Sequence, residues 1–305
     1  MRWRAGAVVR SIPAAALVLA AGLALAAQEP ARAQSAQAAG EHVDVALVLA
    51  IDVSRSMSRD ELAIQRRGYA EAIASREVLQ AIDYGPHGRI GLAIFEWAGD
   101  FHARELLPWT IIESEADAQA VAARLLEGES IGQSRTSISG ALLRGMALLE
   151  TVPYQAERRV IDVSGDGPNN QGQPVTGLRD AAVDRGITIN GLPLMTSDGF
   201  AQYFGISDLD EYYRRCVIGG PGAFVVPVHE WTEFPEAVRR KLVMEIGGLA
   251  PGSPDDPWHE PWRQREDGTR QSLVPAQFAA AEPYDCLVGE KMWRNRRDLF
   301  YDGGR

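Results

Sequence analysis

The residues best suited to chemistry in this 305-residue chain are oxygen donors in three short segments. The first is Asp52-Val53-Ser54-Arg55-Ser56, where alternation puts Asp52, Ser54 and Ser56 on one side, with Val53 and Arg55 opposite. The second is Gln133-Ser134-Arg135-Thr136-Ser137, which offers the Thr136 hydroxyl. The third is Ser164-Gly165-Asp166-Gly167, where the flanking glycines permit a tight turn that aims Asp166 back at the others. Carboxylates and hydroxyls are hard ligands, the kind that surrounds a small cation.

A site drawn from distant segments needs a frame that brings them together. Residues 43–51 (VDVALVLAI) form a nearly continuous apolar, β-branched run, which predicts a strand buried on both faces and ending at Asp52. Ser58 and Glu61 make a capping box for a helix over 59–83, closed by Tyr84-Gly85-Pro86. Further strands are expected at 89–97, 101–109, 160–163, 187–194 and 223–228. Further helices are expected at 115–126, 137–151, 176–185, 208–215 and 234–246. Strands alternating with helices of this length imply an α/β fold: a three-layer, doubly wound, mostly parallel sheet with one antiparallel edge strand. In such sheets ligands bind beyond the carboxyl ends of the strands, where the three oxygen-bearing loops fall.

With this frame in place, the motif resembles the von Willebrand factor A (VWA) and integrin inserted-domain family. The family's metal-ion-dependent adhesion site reads Asp-x-Ser-x-Ser, then Thr, then Asp, matched here by Asp52, Ser54, Ser56, Thr136 and Asp166. The phrases at 163–170 (VSGDGPNN) and 217–224 (VIGGPGAF) are similar to a bacterial group of exported VWA-like proteins without an assigned function. The resemblance spans about residues 43–247. It implies that Ser54, Ser56 and Thr136 touch the metal while Asp52 and Asp166 act partly through water. An ion so held retains appetite for an acidic side chain from a partner protein. Octahedral preference favours Mg²⁺, with Mn²⁺ or Ca²⁺ as alternatives.

Outside this region the chain divides as 1–33 signal peptide, 34–41 flexible leader, 42–249 VWA-like domain and 250–305 Pro/Trp-rich tail. Arg2, Arg4 and Arg10 precede an apolar run at 12–27, and small residues offer cleavage after Ala26 or, preferably, Ala33. An uncleaved membrane anchor is the alternative, and no later stretch is apolar enough to span a bilayer. Loss of Arg2, Arg4, Arg10, Arg32 and Glu29 moves the net charge from −10 to −13. So acidic a body argues against nucleic acid and anionic lipid as partners. Cys216 and Cys286 are the only cysteines, and in an exported protein periplasmic or secreted location favours a disulfide between them. Six prolines in the tail exclude long helices before about residue 290, and its tryptophans suit packing on the domain or on a partner.

Other tempting residues read as structural. The five histidines include no pair with helical zinc spacing. Residues 52–63 lack the central glycine and final glutamate of a calcium-binding helix-loop-helix. Gly219-Gly220-Pro221-Gly222 precedes a strand and lacks the Lys-Ser/Thr of a phosphate loop. Asp162 is expected to be a structural hydrogen-bonder, and Arg55 and Arg135 to pair with Asp166 or attract an acidic partner. The expected function is cation-dependent protein binding in the cell envelope, without catalysis. The alternatives are an assembly subunit whose metal stabilises the fold, and a metal-dependent hydrolase, for which no nucleophile set is evident.

Overall fold

The computed structural model describes residues 40–100, 102–196, 205–249 and 284–302, the last seven by their backbone alone. The expected signal peptide, nearly all of the leader and most of the tail, including Trp258 and Trp262, lie outside these residues.

The first strand, β1 (His42–Asp52), is buried along its whole length except at His42, as its unbroken apolar run requires. It is the centre of a five-stranded sheet ordered β3-β2-β1-β4-β5, with β2 (Ile90–Trp97), β3 (Ala103–Ile112), β4 (Gln155–Gly165) and β5 (Ile187–Pro193). The β1–β2, β1–β4 and β4–β5 pairs are parallel, and the edge pair β2–β3 is antiparallel. Chain winding reverses between β1 and β4, so a crevice opens beyond their carboxyl ends.

Helices cover both faces. The odd-numbered side chains of β1, from Val45 to Ile51, pack against α1 (Arg59–Ile73), α2 (Arg76–Asp83), α3 (Glu115–Leu126) and α7 (Phe234–Gly247). The even-numbered ones, Ala46, Val48 and Ala50, pack against α4 (Ile138–Glu150), α5 (Val175–Val183) and the segment from α6 (Leu209–Tyr212) through a π turn at Tyr213–Val217. A last helix, α8 (Val288–Asp302), follows a Cys216–Cys286 disulfide. Disulfides persist in oxidising compartments, so the bond accords with export. No helix among the described residues is long and apolar enough to cross a membrane.

Three expectations need correction. The helix expected over 59–83 is two: Ser75 donates its hydroxyl to the Ala72 carbonyl (2.7 Å) and accepts from Val78 N–H (3.3 Å), so it ends α1 and caps α2. Serine competes for backbone groups in this way, which is why it interrupts helices. Residues 223–228 do not form a full strand but make isolated bridges, Val225 to Gly191 of β5 and Val228 to Leu194 just after it. Pro227 stands between them and has no N–H to extend a ladder. The short strand expected at 160–163 extends over Gln155–Gly165, because pairing with β1 carries its polar first half.

Asp162 is structural, as expected, but as a buried ion. Lys241 Nζ lies 2.7 Å from its carboxylate and also contacts Glu245, and all three side chains are almost wholly buried. Asn190 donates to Glu245 (2.8 Å) and accepts from Phe224 N–H (3.1 Å), joining β5 to the group.

Candidate metal centre

The crevice beyond β1 and β4 gathers the predicted oxygen donors. Asp52 ends β1 and is fully buried. Its Oδ1 accepts from Ser54 N–H (2.7 Å) and its Oδ2 from the Ser54 hydroxyl (3.0 Å), an Asx-type turn that reverses the chain at the strand end. Ser54 Oγ lies 2.9 Å from Ser56 Oγ. Both hydroxyls reach Asp166 Oδ1, at 3.2 Å and 2.8 Å. Four of the five predicted side chains therefore meet directly.

Thr136 joins through the backbone. Its segment is strapped to the Asp52 loop by a bridge between Ser54 and Gln133, with Arg55 N–H donating to Gln133 and Gln133 N–H to Val53, both at 2.8 Å. Thr136 itself is tied to the loop after Asp166: its N–H donates to Asn170 Oδ1 (3.0 Å), and Asn170 N–H to the Thr136 carbonyl (2.8 Å). The side chain is buried.

Two buried carboxylates this close are costly without a counter-charge. Burial pushes Asp52 well above the usual carboxylate range, and the neighbouring Asp166 charge adds to this, against hydrogen bonds from Ser54. Burial likewise raises Asp166 to about 6, against the pull of Ser56 and Ser54. Asp166 Oδ2 has no hydrogen-bond partner among the described residues although it is buried. Buried polar atoms are rarely left unpaired. An unpartnered carboxylate oxygen beside a second carboxylate and two hydroxyls is a donor set suited to a hard divalent cation.

Several supporting residues had no local signal in the sequence. Gln65, on α1, holds the Asp52 carbonyl at 2.9 Å. Trp97 and Tyr213 wall the back of the site, where a Cβ on Gly165 would lie 2.8 Å from Tyr213 Oη and 3.0 Å from Asp52 Oδ2. Gly165 is thus required for close approach, while its φ is not in the left-handed region. Asn169 is fully buried: its Oδ1 accepts from Ser139 N–H at the start of α4 (3.0 Å), and its Nδ2 donates to Glu290 of α8 (2.8 Å).

The expected pairing of Arg135 with Asp166 is replaced by another contact. Arg135 adopts a positive φ of 76°, and its guanidinium stacks 3.6 Å over the Trp293 ring of α8. Arg55 is exposed, and it is the two serines, not an arginine, that donate to Asp166 Oδ1. Arg135, Asn170, Glu290, Trp293 and Arg294 line a cleft close to Thr136.

Architecture and strand order make this a doubly wound α/β domain with one antiparallel edge strand, consistent with a VWA fold. The pilus adhesin SpaC from Lactobacillus rhamnosus GG is similar in fold, with a TM-score of 0.50 and 12% identity over 68% of this chain and 31% of that one. Proximal thread matrix protein 1 from the mussel byssus aligns with a TM-score of 0.46 and 12% identity, covering 68% of this chain and 49% of that one. A further structure of that mussel protein is described as having a zinc-occupied MIDAS motif, with a TM-score of 0.45, 12% identity, and coverage of 68% and 48%. The chain thus spans half or less of the solved chains it matches. No curated protein matches it. Residues 42–250 match the family described as protein of unknown function DUF1194, and the chain belongs to that family.

Proposed function

We propose that this protein is a divalent-cation-dependent protein-binding module of the bacterial cell envelope, exported to the periplasm or beyond. Asp52, Ser54, Ser56, Thr136 and Asp166 are the metal set, Mg²⁺ is the favoured ion, and a Glu or Asp of a partner protein completes its coordination. The observation that carries this reading is the unpartnered, buried Asp166 Oδ2 within a cluster of two carboxylates and two hydroxyls. The pilus adhesin of similar fold is in keeping with a binding role. The five site residues act as ligands and ligand supports, and none is assigned a catalytic step.

Calorimetric titration of Mg²⁺ into the exported chain tests the metal, and capture from envelope extracts with and without EDTA tests the partner. Binding of Mg²⁺ that is lost in Asp52→Ala, with capture abolished by EDTA, is the expected pair of results. Equal Mg²⁺ binding in wild type and Asp52→Ala would overturn the site. Capture that survives EDTA while thermal stability falls would favour a purely stabilising metal.

A further inference from the structure

At the amino-terminal ends of the central strands, opposite the crevice, three metal-competent side chains converge from distant parts of the sequence. His42 opens β1, Glu157 lies near the start of β4, and His87 sits in the turn before β2. One donor atom from each lies within 4.8 Å of the other two. His87 Nε2 is 3.3 Å from Glu157 Oε1, and the two imidazole centroids are 5.3 Å apart. Ligands of a tetrahedral zinc, each about 2.0–2.1 Å from the ion, stand about 3.3 Å from one another. The His87–Glu157 pair already has that spacing, and a small swing of the exposed His42 ring completes the triangle.

The main chain builds this arrangement. The β1–β4 register sets His42 opposite Gln155 and Val43 opposite Ala156, so strand alternation puts His42, Asp44 and Glu157 on one face. Buried Asp44 fixes the turn that carries His87, accepting from His87 N–H (2.9 Å) and Arg89 N–H (3.3 Å). Gly85 of the same turn packs so closely that a Cβ there would lie 2.2 Å from Asp44 Oδ2. His42 and Glu157 are exposed and His87 is partly so, which leaves a fourth position open to water.

We propose that His42, His87 and Glu157 form a second metal site, for a borderline transition cation with Zn²⁺ as the probe. Two imidazoles and one carboxylate suit zinc and disfavour Mg²⁺, so the site is chemically distinct from the oxygen-lined crevice and does not depend on the function proposed for it. A bound ion staples the first residue of β1 to the β2 turn and to β4.

Zn²⁺ titration of the full chain in excess Mg²⁺ is the test, supported by X-ray absorption at the zinc edge. The expected result is binding at micromolar Zn²⁺ with two imidazole nitrogens on the ion. It should be retained in Asp166→Asn and weakened at least about tenfold in His87→Ala and in Glu157→Gln. Because these side chains are at least partly exposed, circular dichroism should show the variants folded. Zinc binding that is unchanged in His42→Ala and His87→Ala, that is lost only in Asp166→Asn, or that is absent at micromolar concentrations would overturn the proposal.

Discussion

Asp166→Asn removes one of two buried charges while keeping an oxygen for Ser54 and Ser56, so it isolates the electrostatic cost of the metal-free site. In the folded protein the Asp166 carboxyl is held at about 6, against its ordinary 3.8. The folded state therefore keeps a proton that the unfolded chain has released between those values, and stability falls as pH rises through that window. The gap from 3.8 to about 6 corresponds to about 3 kcal/mol. Asp52 acts in the same direction, because the substitution removes the charge that repels it. Packing changes and any unpaired amide N–H are constant with pH and cancel when the wild-type-minus-variant stability is followed across pH. In EDTA, that difference should shift in favour of Asp166→Asn by about 3 kcal/mol between about pH 4 and pH 8. For a domain of this size the shift is worth about 6–12 °C in Tm. Saturating Mg²⁺ favours the charged carboxylates and should reverse the trend for wild type alone. Urea or thermal unfolding at several pH values is the assay. A difference that stays flat across pH in EDTA would refute the argument that two carboxylates share this crevice as strained neighbours.

Gly165→Ala should cost about 1–3 kcal/mol by overpacking against Tyr213 and Asp52, and should weaken Mg²⁺ binding. Combining it with Tyr213→Phe, which removes the nearest atom and a hydroxyl without a partner, should recover part of the loss in chemical unfolding. Lys241→Met leaves Asp162 and Glu245 uncompensated in the core and should cost about 3–5 kcal/mol, read by urea midpoint. Burial and the Asp162 charge push Glu245 to about 7 from 4.5, so its contribution to stability should decline as pH rises from 4.5 to about 7. Glu245→Gln should flatten that decline. Replacing both cysteines with serine opens a loop of 70 residues and should lower stability by about 4 kcal/mol. It should also free α8, seen as changed tryptophan fluorescence and faster proteolysis near Trp293.

The fold class and the four oxygen donors that meet were legible in the chain because both are local or ordered signals. A nearly continuous apolar, β-branched run from Val43 to Ile51 favours a doubly buried strand, and the loop after its carboxyl end falls where such sheets bind ligands. Asp52, Ser54 and Ser56 follow from strand alternation, and Gly165 and Gly167 announce the turn that carries Asp166. The break at Ser75 was less legible, since serine is neutral in a helix until its hydroxyl finds a backbone partner. What only tertiary structure decided are contacts between residues with no periodicity to link them. Tyr213 reaches the site through a π turn that local spacing does not announce. Arg135 forgoes Asp166 for Trp293 because a docked terminal helix offers a ring where the carboxylate is already enclosed. His42 and His87 meet because parallel pairing aligns the starts of β1 and β2, and Lys241 finds Asp162 because α7 lies across the sheet. Sequence specifies which face each side chain occupies; the packing of sheet and helices decides which faces touch.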